Sequence, residues 1–331
     1  MRSIGELASY AFTDAYLCYY KARTYPPQQL SLFNSTTISV PSPRHIHLYP
    51  PHLHIMEPDT YGARTLAELP THPSAYRRDA YQRTCLNMIS TGIHKWGFVV
   101  YRCSYDDDEL WNRYLAQLKS FCSANLVEKR RAELLEQYLD WVVIEDRATL
   151  DNASRPEVRK HFNQWVSEQN VPALPVRAVT NRSPIQLPRF QYCLYIDKQC
   201  LDTVIQFQEA NDGTALFVDL LPPMVFAIID RTWTPDGTDV DADADDGDDC
   251  DETESEEDEQ EENENEGGYP LVDGSDRKCI GWVYCNAFYV GGLYEALHQR
   301  GLDDDETFPR PPAIYPCGDR SMPTLVEPVL L

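Results

Sequence analysis

The chain has 331 residues, of which 42% are hydrophobic and 11% aromatic, enough apolar surface to bury a core, and this excludes a wholly disordered protein. The formal charge of −24 is concentrated: residues 236–266 hold 19 Asp and Glu and no Lys or Arg, and removing those 19 leaves −5 for everything else. The acidic character therefore belongs to one segment and not to the folded part as a whole.

Residues 1–73 are rich in Pro, Ser, Thr, Tyr and His and carry no sustained period of 2 or 3.6, so they read as a poorly ordered leader. More ordinary sequence follows Met56, and one reading starts translation there. From residue 74 the periodicity sharpens. Ala80, Tyr81, Leu86 and Ile89 mark a helix face, and Lys95–Cys103 is apolar on both alternating faces, as a central strand is. Asp106, Asp107, Asp108 and Glu109 then stand where carboxylates favour a helix N-terminus, followed by Leu110, Trp111, Tyr114, Leu115, Leu118 and Phe121 on one face. A second helical stretch is expected over about 127–139, and a strand over Trp141–Asp146.

Ser154 and Glu157 have the spacing of a capping box, with Pro156 in the first turn, and Val158, Phe162, Trp165 and Val166 continue that helix. After a Pro-rich loop over 171–188, Phe190–Ile196 reads as a strand. A short helix through Leu201, Val204 and Ile205 closes at Asn211-Asp212-Gly213. Two strands, Ala215–Leu221 and Met224–Thr232, flank Pro222-Pro223. Beyond the acidic insertion, 236–267, a last strand over Cys279–Cys285 and a helix through Val290, Leu293, Tyr294 and Leu297 end the domain near residue 302. The Pro-rich tail 303–331 is expected to run extended over the surface. This order predicts one α+β domain over 74–302: a two-layer sandwich of a mixed sheet with helices on one face, of ferredoxin-like type. A doubly wound sheet is the alternative, and the chain has no Gly-rich strand-to-helix turn to support it.

The ten cysteines include no CxxC pair or zinc-finger spacing, and several lie in apolar runs, so they are expected as free thiols in a reducing compartment, cytoplasm or nucleus. No basic-then-apolar leader and no run of about 18 apolar residues is present. The acceptor-like triplets at Asn34, Asn152 and Asn181 are accordingly read as chance.

Chemistry is thinly signalled. The 19 carboxylates repel one another and cannot bury apolar area, so the segment is expected to stay solvated. It would either be inert or receive basic protein partners, and Ser255, followed by Glu256, Glu257 and Asp258, suits an acidophilic kinase. Asp241, Asp243, Asp245 and Glu252 echo a calcium loop, but the sixth position is Asp246 where Gly is needed. His45, His47, His52 and His54 form two H-x-H pairs that suit a transition metal, without flanking residues to fix geometry, and no cofactor is expected. Glu145, Asp146 and Asp151 follow a predicted strand, where catalytic carboxylates often sit, and His161 is near enough in sequence to serve as an acid or base. Gly97, Phe98, Val99 and Tyr101 echo part of an RNA-binding strand without a basic stripe around them. The tryptophans at 111, 141, 165, 233 and 282 read as core.

The segments KWGFVVYRCSYDDDELWNRYL, WVVIEDRATLDNASRPEVRKHFNQWV and RFQYCLYIDKQCLDTVI resemble a family of uncharacterised proteins from filamentous fungi, over roughly residues 90–300. The resemblance implies a fungal intracellular protein and assigns no activity and no site residues. Two functions are expected to compete: a non-enzymatic interaction module that binds basic partners through 236–266, and a small-molecule-binding domain or enzyme using the strand-end carboxylates.

Overall fold

Val99–Arg102 forms strand β1 and is buried at all four positions, as its unbroken apolar run requires. In the computed structural model, which describes residues 62–70, 80–169, 171, 187–211, 221–234, 268–304, 307–317 and 320–322, β1 lies between two parallel neighbours. These are β2, Val142–Ile144, and β3, Tyr192–Ile196. Strand β4, Val225–Asp230, runs antiparallel to β3, and β5, Trp282–Asn286, antiparallel to β4. The two-residue β6, Ile314–Tyr315, is parallel to β5. Among the described residues these strands make one mixed sheet in the order β2-β1-β3-β4-β5-β6.

Two helices, Asp108–Glu128 and Arg155–Glu168, begin where cap residues in the sequence predict them. Helix α1, Gln82–Thr91, ends at Gly92 in the left-handed region. Helix α2, Asp108–Glu128, is capped by Asp107, whose side chain accepts from the Leu110 N–H. Ala132–Leu135 is a short α3, followed by a 3-10 turn at Glu136–Tyr138, so the expected helix over 127–139 is divided between the end of α2 and these pieces. Asp146 caps the short α4, Arg147–Leu150, and the Ser154–Glu157 capping box opens α5, Arg155–Glu168. A turn of helix, α6, Pro188–Gln191, leads into β3, and Asp197 caps α7, Lys198–Ala210. The last helix, α8, is Val290–Ala296.

Side chains of β1 sort these helices onto two faces, since neighbours on a strand point opposite ways. Tyr101 meets α5, its hydroxyl 3.0 Å from His161 Nδ1 and its ring edge-on to Phe162. Arg102 points the other way and stands 5.3 Å from the Trp111 ring of α2. On that second face α2 packs with α7 through Phe121 and Phe207, and Tyr114 donates to the Val225 carbonyl at 2.6 Å. Phe98 meets Tyr294 of α8 there as well.

The α+β class and the mixed sheet therefore stand, but the sheet is covered on both faces. The physical reason is the burial of β1, which leaves no solvated side. The segment β2-β1-β3, with α2 crossing on one face and α5 on the other, has the doubly wound pattern, although its β1–α2 turn is closed by the Asp107 cap and not by glycines. Three adjacent parallel strands also depart from a ferredoxin-like arrangement.

The ends of the chain depart from expectation too. Leu66 and Leu69, inside the supposed leader, are buried, and so are Phe308, Ile314 and Met322 of the supposed surface tail. The expected strand over 215–221 lies almost wholly outside the described residues. No described helix is long and apolar enough to cross a membrane.

One long-range cap ties the helical layer together. Tyr81, at the N-cap of α1, has φ of 60° and makes no side-chain cap. The free N–H groups of Arg83 and Thr84 donate instead to Glu295 of α8 at 2.8 and 3.0 Å, and Thr84 Oγ1 donates at 2.7 Å. Burial pushes the Glu295 carboxyl above its ordinary value, against these hydrogen bonds. A carboxyl raised in the folded state holds more protons folded than unfolded, so its contribution falls as pH rises through that window. Urea unfolding at about pH 5, 6 and 7 is expected to show a shallower loss of stability in Glu295→Gln than in the parent. Equal slopes would contradict the assignment.

Candidate functional site

The acidic residues singled out from sequence as catalytic candidates follow β2, and each has a structural partner. Asp146 accepts from the Ala148 N–H at 3.1 Å and from Thr149 Oγ1 at 2.8 Å, as the α4 cap. Glu145 accepts from Trp111 Nε1 at 2.5 Å. Asp151 pairs with Arg147 at 3.8 Å and accepts from Asn152 Nδ2 at 3.3 Å. Asp107 and Asp197 cap α2 and α7. Arg102 is buried, pairs with Asp108, and lies over Tyr105 and Trp111.

His161 does not join them. Its ring is bound to Tyr101 on the α5 face of the sheet, whereas Glu145 is bound to Trp111 on the α2 face. The structure therefore separates the candidate acid–base residues, and their hydrogen bonds are those of caps and packing. Phe98 and Tyr101 are 1% and 0% exposed, which removes the stacking surface an RNA-binding strand needs. Cys85, Cys103, Cys122, Cys193, Cys200 and Cys285 are buried and form no disulfide. Burial pushes the Cys122 thiol up to about 12, the state of an inert packing cysteine. His45, His47, His52, His54 and Ser255, with the whole of 236–266, lie outside the described residues.

A concave feature among the described residues lies elsewhere, where α5 passes the end of the β4–β5 hairpin. A cavity of about 430 Å³ is lined there by Arg155, Arg159, Lys160 and Asn163 of α5, by Arg231 and Trp233 after β4, and by Asp273 and Trp282 before and within β5. The Arg155 guanidinium stands 3.8 Å from the Trp282 ring centroid, pairs with Asp273 at 3.3 Å and Asp197 at 3.8 Å, and donates to the Tyr284 hydroxyl at 3.1 Å. Arg159 donates to the carbonyls of Asp230 and Gly281, at 2.8 and 3.1 Å, and lies 4.9 Å from the Trp233 ring centroid. Gly281 lets Trp233 sit down on the backbone: φ is +71°, and a Cβ there would stand 2.3 Å from Trp233 Cγ.

Sequence reasoning placed Trp233 and Trp282 in the core and gave no role to the cations. The Arg155–Arg159 spacing of four was a readable sign of one helix face. Nothing local announced that Arg231 and two tryptophans would meet it. The hairpin itself is regular, with Val225–Ile229 paired in register to Asn286–Trp282, and the acidic segment belongs to the connection between these strands. In comparisons with known proteins, the chain matches no family model, no curated protein and no solved structure.

Proposed function

We propose that the chain is a non-enzymatic interaction protein of the cytoplasm or nucleus that takes basic protein partners through residues 236–266. The observation that carries this reading is charge segregation: 19 carboxylates fall in 31 residues, inside the connection of a hairpin whose strands pair without them. Such a segment attracts cationic surfaces over a Debye length of about 8 Å at physiological salt and adds charge if Ser255 is phosphorylated. The enzymatic alternative is weakened because Glu145, Asp146 and Asp151 are engaged in capping and packing bonds. Buried free thiols suit a reducing compartment. The resemblance to uncharacterised fungal proteins brings no activity to set against this.

The test is affinity capture from a fungal extract, with the intact chain and with a chain lacking 236–266. Basic proteins are expected on the intact chain, fewer as salt is raised, and none on the deletion, whose thermal unfolding should match the parent. Identical captures would show the segment to be inert.

A further inference from the structure

The cleft between α5 and the β4–β5 hairpin has a chemistry opposite to that of the chain as a whole. Arg155 is balanced by Asp273 and Asp197, but Arg159, Lys160 and Arg231 have no carboxylate within 4.0 Å among the described residues. Three cations without a carboxylate partner among the described residues thus line one cavity, in a protein with net charge −24. Burial holds the Arg159 guanidinium below its ordinary range, with Asp230 and Asp273 near enough to oppose the shift only in part.

The lining is also short of acceptors. Among the described residues four buried side-chain polar atoms lack a hydrogen-bond partner, and three of them belong to this cleft: Trp282 Nε1, Arg155 Nε and Arg231 Nε. Trp282 is 3% exposed, so its indole N–H has no solvent to turn to. Cations lining one cavity without a described carboxylate, among residues whose buried donors are already short of acceptors, call for an anion with several acceptor oxygens. The cations are held ready for it: Arg159 by two backbone carbonyls, and Arg231 by Asn163 Oδ1 at 3.4 Å. Preorganised guanidinium groups match the oxygens of phosphate and carboxylate, and the cavity volume lies in the range of small-molecule sites.

We infer that this cleft is a binding site for a small, multiply charged anion bearing phosphate or carboxylate groups, with Arg159, Arg231 and Lys160 as its charge contacts. None of these residues belongs to the acidic segment, and the ligand has the opposite charge to the partners proposed for that segment.

Isothermal titration of the full chain with inorganic pyrophosphate and with citrate, at low salt, tests it. Saturable binding of one molecule per chain is expected. Arg231→Gln combined with Lys160→Gln should weaken it at least about tenfold, the loss of one or two charge-assisted hydrogen bonds. Lys160 is exposed and Arg231 holds its strand end through its backbone N–H on the Gln191 carbonyl, so the double variant should unfold at the parent temperature. Lys198→Gln, at an exposed i,i+4 pair with Asp202, should bind as the parent does. The tighter of the two probes names the source: pyrophosphate for a phosphorylated metabolite, citrate for an oligocarboxylate. Absence of saturable binding, an unchanged affinity in the double variant, or an equal loss in Lys198→Gln overturns the assignment. None of these outcomes bears on capture of basic proteins by 236–266.

Discussion

Replacing Arg155 with alanine is expected to cost about 3–5 kcal/mol of unfolding free energy, the range for removing one partner from a largely buried charge network. The side chain is only 15% exposed, and it ties α5 to β5 and to the chain before it. Its guanidinium lies 3.8 Å from the Trp282 ring centroid, pairs with Asp273 and donates to Tyr284. Asp197 keeps its α7 cap and Tyr284 its Gln199 contact when Arg155 is removed, so the loss falls on packing, the ring contact and Asp273. Arg155→Lys keeps the charge but not the planar face and should recover less than half of the loss. Urea unfolding measures both, and a shift in midpoint at constant slope is the expected form. A loss below about 1 kcal/mol would place Arg155 among ordinary surface pairs.

Gly281→Ala should be nearly as damaging, at about 2–4 kcal/mol, for two separable reasons. The backbone there is left-handed, with φ of +71°, and the new Cβ would lie 2.3 Å from Trp233 Cγ. Trp233 must leave its seat over Gly281, and it takes with it the ring beside Arg159. A double-mutant cycle separates the two costs. In a Trp233→Ala background the same glycine substitution should cost only the conformational share, about 1–2 kcal/mol. Equal costs in both backgrounds would mean that the tryptophan yields without penalty.

The parts of this fold that were legible in sequence are those written over a few residues. Ser154 and Glu157 announced the start of α5, and the capping box is present there. The apolar run around Val99–Arg102 announced a strand buried on both sides. That same run already spoke against helices on one face only, because a strand without a polar side has no face for water. Strand direction was not legible. Whether β1 meets β2 in parallel depends on α2 crossing back over the sheet, which no local pattern encodes. Strand β6 was missed because its two residues, Ile314 and Tyr315, sit in a Pro-rich context that lacks periodicity.

The candidate site divides in the same way. Asp107 reads as part of a helix N-terminus and caps α2, whereas Asp146, which stands just as plainly before a helix and caps α4, reads as catalytic from its acidity at a strand end. The cationic cleft draws Arg159 and Lys160 from α5, Arg231 from the end of β4 and Trp282 from β5. Its convergence is a property of the sheet order and had no signature in the sequence.

The position of β1 at the centre of the parallel strands has a consequence for how the chain reaches this structure. Val99 pairs with Val142 on one side and Cys193 on the other, so neither partnership closes through a tight turn. Loop-closure entropy must be met twice before the most apolar strand has neighbours, and contacts so distant in sequence slow the approach to the native state. The hairpin of β4 and β5 must likewise close around the acidic connection. Local helices can form early, but the sheet assembles late, and until then the edges of Val99–Arg102 stand open to other chains.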